Sequence, residues 1–333
     1  MKRLPIILAI VLYLLIYFIR SQQPSWDLKL DLFSGIRSGL DQRISQLLPS
    51  PQAELLSGIL LGQNKNLPGQ LKLALRDTST LHIVVASGQN LSMVAGLFLA
   101  LAGLIKRKYA LSLGLLAALS YTMLSGMQIP IIRAAIMFSL ASIAQIYGRQ
   151  RDGVWVLLVT AGLMLLINPA WISSLSFQLS VLATLGVVSV APILLKYLKN
   201  LPIIGQDLAV TLAAQIMVTP VIVQNFHQLS LVSLATNVMV LWTIPFIMIL
   251  GSIMLIFGVI APLVNAFLTY FIYIVQFFAR LPFAWEYIGE QWWVVWVGYY
   301  MVIGGILVGL NQYQKIRSTK SEIRNKAQNS NIK

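Results

Sequence analysis

Arg133 stands in SGMQIPIIRAAIM, in the first turn of an apolar run. A charge at bilayer depth costs roughly 2.5–3.5 kcal/mol on insertion scales, so its presence there calls for a cause. Two answers exist: the side chain snorkels to the headgroups, or it lines a wet mouth and meets an anion. A guanidinium offers forked donors that suit phosphate. A second polar group interrupts LHIVVASGQNLSMVAGLFLALAGLI, where Ser87, Gly88, Gln89 and Asn90 set a helix breaker among hydroxyl and amide groups. Other polar residues lie in apolar runs or at their ends: Gln178, Ser180, Thr184, Gln215, Thr219, Asn225, Asn237 and Thr243, with His82 and His227 at span ends. Singly, each is an ordinary interhelical hydrogen bond of about 0.6 kcal/mol. Together they make a hydrophilic interior able to pass a polar substrate without gripping it.

Several chemistries are excluded. The chain has no cysteine, so thiolate metal sites and disulfides are out. Its two histidines and ten acidic residues fall in no metal-ligand spacing. No Gly-rich phosphate loop leads into a helix. The acidic residues lie in loops or at span ends, Asp207 nearest a span, so ion-coupled transport has no obvious buried carrier. No catalytic residue, cofactor or metal is expected, and the chain reads as a non-enzyme.

The elements that position these residues follow from composition. The chain is 58% hydrophobic and 10% charged, against about 25% charged in soluble domains. Apolar runs of membrane-crossing length recur along it, which predicts an all-α, polytopic membrane bundle of about ten helices. The spans read as Leu4–Ile19, His82–Ile105, Tyr109–Met127, Pro130–Tyr147, Val154–Ile167, Ile172–Leu195 and Leu208–Val223. A run from Leu229 to Ala261 follows, then Leu263–Ala279 and Trp292–Leu310. The Leu229–Ala261 run as one helix would reach about 50 Å, beyond a hydrocarbon core of about 30 Å. Pro245 in its middle predicts a kink, break or re-entrant turn. The start, Met1-Lys-Arg and Leu4–Ile19, has no small-residue cleavage site after it and reads as an uncleaved span.

Charge orients the bundle. Lys2, Arg3, the Lys106–Lys108 cluster, Arg149, Arg151, Lys196, Lys199 and the tail from Lys315 to Lys333 share one side in a ten-span count. The positive-inside rule then places both termini in the cytoplasm, with Trp292, Trp293 and Trp296 in the outer aromatic belt. Residues 21–81 form an outer segment. Within it Phe33, Ile36, Leu40, Ile44 and Leu47 make one face of an amphipathic helix, with Arg37, Asp41 and Arg43 opposite. Pro49 ends that helix, and Gln52–Leu61 and Pro68–Asp77 read as shorter ones. Residues 1–20 are the first span, 82–310 the main membrane domain, and 311–333 a basic, partly disordered tail.

Four blocks then fall into a recognisable order. ELLSGILLGQNKNLPGQLKLALRDTSTLHIVVASGQNLSMVAG resembles the signature region of the ComEC-type competence proteins. YTMLSGMQIPIIRAAIM and NPAWISSLSFQLSVLATLGVV resemble that family's next two blocks, and VTLAAQIMVTPVIVQNFHQLSLVSLATNVMVLWTIPF its last. The resemblance covers about Ala53 to Phe246. His82, Ser87 and Gly88 match a His…Ser-Gly motif, Arg133 and Ala134 an Arg-Ala block, Phe177 to Leu179 a Phe-Gln-Leu element, and Asn237 and Pro245 an Asn…Pro element. Asn90 stands where typical members carry a second histidine.

The resemblance implies a channel for single-stranded transforming DNA in the bacterial cytoplasmic membrane. His82, Ser87, Gly88, Gln89, Asn90, Arg133, Gln178, Gln215, His227, Asn237 and Pro245 are its pathway candidates. It also implies partners: single-stranded DNA, membrane lipids, a DNA receptor and a cytoplasmic uptake ATPase. The OB-like and metallo-β-lactamase-like domains of full-length members have no counterpart in this sequence, so a separate nuclease is expected. Two other readings are a small-solute or lipid-intermediate transporter on the same fold, and a scaffold of an uptake complex that conducts nothing.

Overall fold

The break foreseen in the second span separates two helices, α5 (Leu81–Val84) and α6 (Gly88–Ala100), joined through the extended Val85. They belong to a computed structural model that describes residues 4–23, 33–85, 87–100, 103–148, 152–198, 201 and 204–330. The first helices are α1 (Leu4–Ser21), α2 (Ser34–Leu47), α3 (Gln52–Leu61) and α4 (Gly69–Asp77). After α6 come α7 (Arg107–Leu124), α8 (Ile129–Ile146), α9 (Gly153–Ile167), α10 (Leu175–Ser189), α11 (Ala191–Tyr197) and α12 (Ile204–Phe226). The last are α13 (Ser233–Leu241), α14 (Thr243–Met254), α15 (Ala261–Ala279) and α16 (Trp293–Ser330).

Among the described residues, four helices are long and apolar enough to cross a bilayer: Ile129–Ile146, Gly205–Phe226, Gly258–Ala279 and Trp293–Leu310. Two bent pairs raise the number to six if each is one span. The chain is thus helical and fits a membrane protein; ten spans and cytoplasmic termini remain expectations from sequence. Of the residues that oriented the bundle, Lys2, Arg3, Arg149, Arg151, Lys199 and Lys333 lie outside the described ones.

Prolines explain both bends. The pair α13–α14 turns by 42° at Trp242. Pro245, in the first turn of α14, has no N–H for the Leu241 carbonyl, so the break falls just before it. The pair α10–α11 turns by 43° at Val190, where Pro192 likewise leaves the Val188 carbonyl without its donor. That second bend was not anticipated. Pro220, by contrast, sits inside an unbroken α12. The Tyr299 hydroxyl of α16 donates to the Ile216 carbonyl at 3.0 Å, the acceptor that Pro220 deprives of its N–H. Tyr300 donates to the next carbonyl, that of Met217, at 2.9 Å. Membrane-embedded backbone must be re-satisfied in this way. Tyr299→Phe is therefore expected to destabilise the protein by about 0.6–1.7 kcal/mol, but hardly at all beside Pro220→Ala, which restores the donor. Denaturation of the four proteins of that cycle in detergent measures the coupling; equal costs in both backgrounds would refute it.

Four features add to the sequence reading. The fold is all-α as expected, with one small addition: a two-stranded antiparallel ribbon, β1 (Gln228–Ser230) with β2 (Trp285–Tyr287). It pairs backbone groups left over between α12 and α13 and after α15. The tail, expected to be partly disordered, continues α16 to Ser330. The amphipathic helix exists as α2, and its Arg37 and Asp41 bond to other elements. Arg37 Nε donates to the Leu124 carbonyl at 2.8 Å, and the Asp41 carboxylate accepts from the Ser57 hydroxyl. Helix-end carbonyls and a buried hydroxyl need partners, and these side chains supply them. Finally, α3 is a buried helix: Ala53 and every residue from Leu55 to Leu61 are buried, and its apolar side chains join the largest apolar cluster, against α14 and α15.

Candidate functional site

At about 1.5 Å per residue α3 is roughly 15 Å long, so its C-terminal carbonyls end among other helices and need donors. Gly62, at φ 72°, turns the chain there as only glycine does without strain. The Ile59 carbonyl accepts from Asn90 Nδ2 of α6 at 3.0 Å and from the Tyr121 hydroxyl of α7 at 3.4 Å. The Gly62 carbonyl accepts from Gln128 Nε2, just before α8, at 2.8 Å. One helix end thereby ties together three others.

The SGQN stretch begins α6. Ser87 Oγ accepts from the Asn90 N–H at 3.4 Å and donates to Asn90 Oδ1 at 3.0 Å, a variant of the capping box with Asn at the third position. The polar cluster inside an apolar run is thus a helix start. Asn90, 1% exposed, also spends its amide on Ile59. Gly88 allows close approach to α8: a Cβ there would lie 3.0 Å from Arg133 Nη2 and 3.1 Å from Ala134 Cβ.

Arg133 itself is 9% exposed. Its Nη1 donates to the Ser180 carbonyl of α10 at 2.7 Å, an oxygen that also accepts from Thr184. Its Nε has no partner, nor has the buried Ser180 Oγ. Among the described residues no carboxylate pairs with it. A buried guanidinium held by one carbonyl retains donor capacity for an anion, at a standing desolvation cost.

The structure therefore joins Ser87, Gly88, Asn90 and Arg133 into one contact region with Ser180 and Tyr121. Gln89 is exposed beside it. Gln178, in the first turn of α10, donates to the Ile172 carbonyl at 2.9 Å. The other candidates sit elsewhere. Gln215 of α12 accepts from Ser233 of α13 at 2.9 Å. Asn237 is buried in α13 with Oδ1 unpartnered, and Pro245 starts α14. His82 Nδ1 donates to the Ser79 carbonyl at 2.7 Å, a local turn contact. His227, at φ 55°, links α12 to the ribbon, with Nδ1 buried and unpartnered. No group of three or more metal-ligating side chains occurs among the described residues.

Sequence reasoning missed Tyr121, Gln128 and the α3 end as parts of this region. The available signal was a polar stretch, Gly62 to Asn66, directly after an apolar helix too short to span.

A 226-residue stretch is 27% identical to "Uncharacterized protein YcaI" of Escherichia coli, covering 60% of this chain and 28% of that protein. The "ComE operon protein 3" of Bacillus subtilis is 24% identical over 251 residues, 74% of this chain and 32% of the relative. An "Uncharacterized protein" of Aquifex aeolicus is 31% identical over 169 residues, 50% of this chain and 40% of its own. The matched regions thus span between about a quarter and two fifths of these relatives. No solved structure matches. The family model described as Competence protein matches residues 59–312, which takes in α3's end, the α6 start, Arg133 and Ser180 alike: the chain belongs to the competence protein family.

Proposed function

We propose that this chain is a conduit through which a single strand of transforming DNA crosses the bacterial cytoplasmic membrane. The observation that carries the reading is Arg133, buried in an apolar helix, unpaired by any described carboxylate and packed over the broken start of α6. Phosphodiesters are the anions a guanidinium fork suits, and helix breaks are tolerated at membrane depth only beside protein or a wet cavity. Family membership and the likeness to a ComE operon protein support the cargo. In this reading the chain conducts and does not cleave. A separate metallo-β-lactamase-like nuclease makes the single strand, a receptor delivers DNA, and a cytoplasmic ATPase pulls it.

The test is import of labelled DNA by a deletion strain complemented with this chain, alone and with a separate nuclease, alongside passage of single strands into liposomes that hold the purified protein. Restored import together with passage supports the conduit. Import without passage by the purified chain would identify a scaffold, and uptake of small solutes or lipid intermediates instead would identify a transporter. Normal import by the deletion strain would sink the proposal outright.

A further inference from the structure

A cavity of about 430 Å³ opens beside the α3 end, and nothing above uses it. Its walls come from three places: the stretch after Gly62, the turn between α7 and α8, and Arg37 of α2. The turn passes through Gly126 at φ 79°, and the Arg37 guanidinium lies across it; a Cβ on Gly126 would sit 3.0 Å from Arg37 Nη1. Arg37 is anchored by its bond from Nε to the Leu124 carbonyl. Gln128, which also lines the cavity, is fixed by the Gly62 carbonyl. Two walls of the cavity are therefore set by hydrogen bonds between elements.

Lys65 brings positive charge, the anchored Arg37 forms a wall, Gln63, Asn64 and Gln128 bring amides, and Ser125 a hydroxyl; among the described residues no carboxylate lines the cavity. Lys65 has no ion-pair partner among the described residues. Lys65 beside neutral hydrogen-bonding groups favours an anion that carries oxygen acceptors. The volume lies in the range of small-ligand sites, about 300–1,000 Å³, and holds one phosphate with part of its sugar. Among the described residues no aromatic side chain lines it and offers bases a stacking platform, so binding there is expected to depend on phosphate and on salt, not on base identity. Gln128 precedes the helix that carries Arg133, and the two are separated by about 7.5 Å along its axis.

We propose that this cavity receives a backbone phosphate of the single DNA strand before the strand reaches Arg133. The inference rests on the conduit reading and adds a docking point to it. The test uses the full chain in nanodiscs of zwitterionic lipid, with anisotropy of a labelled oligothymidylate followed as salt is raised. Lys65→Gln is expected to weaken binding by about three- to tenfold and to reduce the salt slope by about 0.7, with Lys65→Arg close to wild type. An oligoadenylate is expected to show the same losses. Lys65 is exposed, so folding is not at stake in its variants; Arg37→Gln is the second variant. If neither variant alters affinity or slope while wild-type protein binds the strand, this inference fails and the conduit stands. If Lys65→Gln instead removes binding to vesicles of phosphatidylglycerol and leaves oligonucleotide binding intact, the cavity is a lipid-headgroup site and the inference is overturned. Wild-type protein that binds no oligonucleotide overturns this inference, and strand passage into liposomes then decides the conduit separately.

Discussion

Arg133→Gln is expected to lower DNA import by about ten- to a hundredfold while thermal stability stays level or rises. The size follows from a lost charge-assisted hydrogen bond to phosphate, worth about 1.5–3 kcal/mol. The sign on stability follows from burial. Arg133 is 9% exposed, and its described partner is one carbonyl that already accepts from Thr184. Removing a buried charge that has no counter-ion relieves a desolvation cost, whereas breaking a paired one adds a cost. Glutamine can still donate toward Ser180, so the α8–α10 contact survives. A purely structural arginine predicts the reverse pattern, protein and import lost together. Transformation frequency, membrane protein level and melting in detergent, measured on the same variant, separate the two. Arg133→Lys is expected to fall between, because an ammonium keeps the charge but not the fork.

Gly186→Val carries the largest expected effect on folding. Gly186 of α10 faces the backbone of α12: a Cβ would overlap the Ala213 carbonyl oxygen, and it would lie 2.9 Å from both the Ala213 carbonyl carbon and Met217 Cγ. The obstruction is largely helix backbone, so relief requires two helices to part. Overpacking commonly costs 1–3 kcal/mol, and here about 3 kcal/mol or more is expected because no side chain can rotate away. The variant should accumulate poorly and melt far below wild type. Gly304→Val on α16, where nothing lies within 4 Å of a built Cβ, is the control and should change little. Equal behaviour of the two variants would refute the α10–α12 contact. Since α10 carries Ser180 and α12 carries Gln215, that contact also sets how two polar-lined helices meet.

Much of this was legible in residue order. The break at SGQN could be read because Ser, Gly and Asn at that spacing form a helix start, and local chemistry alone dictates it. The kink near Pro245 was legible for the same kind of reason, since a missing N–H acts within four residues. Pro192 offered an equal signal and was overlooked, and Pro220 shows why a proline by itself is ambiguous. Whether it bends the helix depends on Tyr299 arriving from α16, a contact that no local window contains. The amphipathic pattern of residues 33–47 was read correctly as helix, but the partners of its polar face were not legible. A polar face in sequence cannot distinguish water from the unpaired carbonyl of another helix.

By itself the sequence determined the helical, membrane-fitting class, the family and the helix breaks at SGQN and before Pro245. Each of these follows from composition or from interactions a few residues in range. Only the tertiary structure decided that α3 is buried, that its last carbonyls gather Asn90, Tyr121 and Gln128, and that Arg133 faces Gly88 and Ser180 with no described acid in reach. The physical reason is that backbone groups shielded from water must find partners wherever the chain folds past them, and those partners lie tens of residues away.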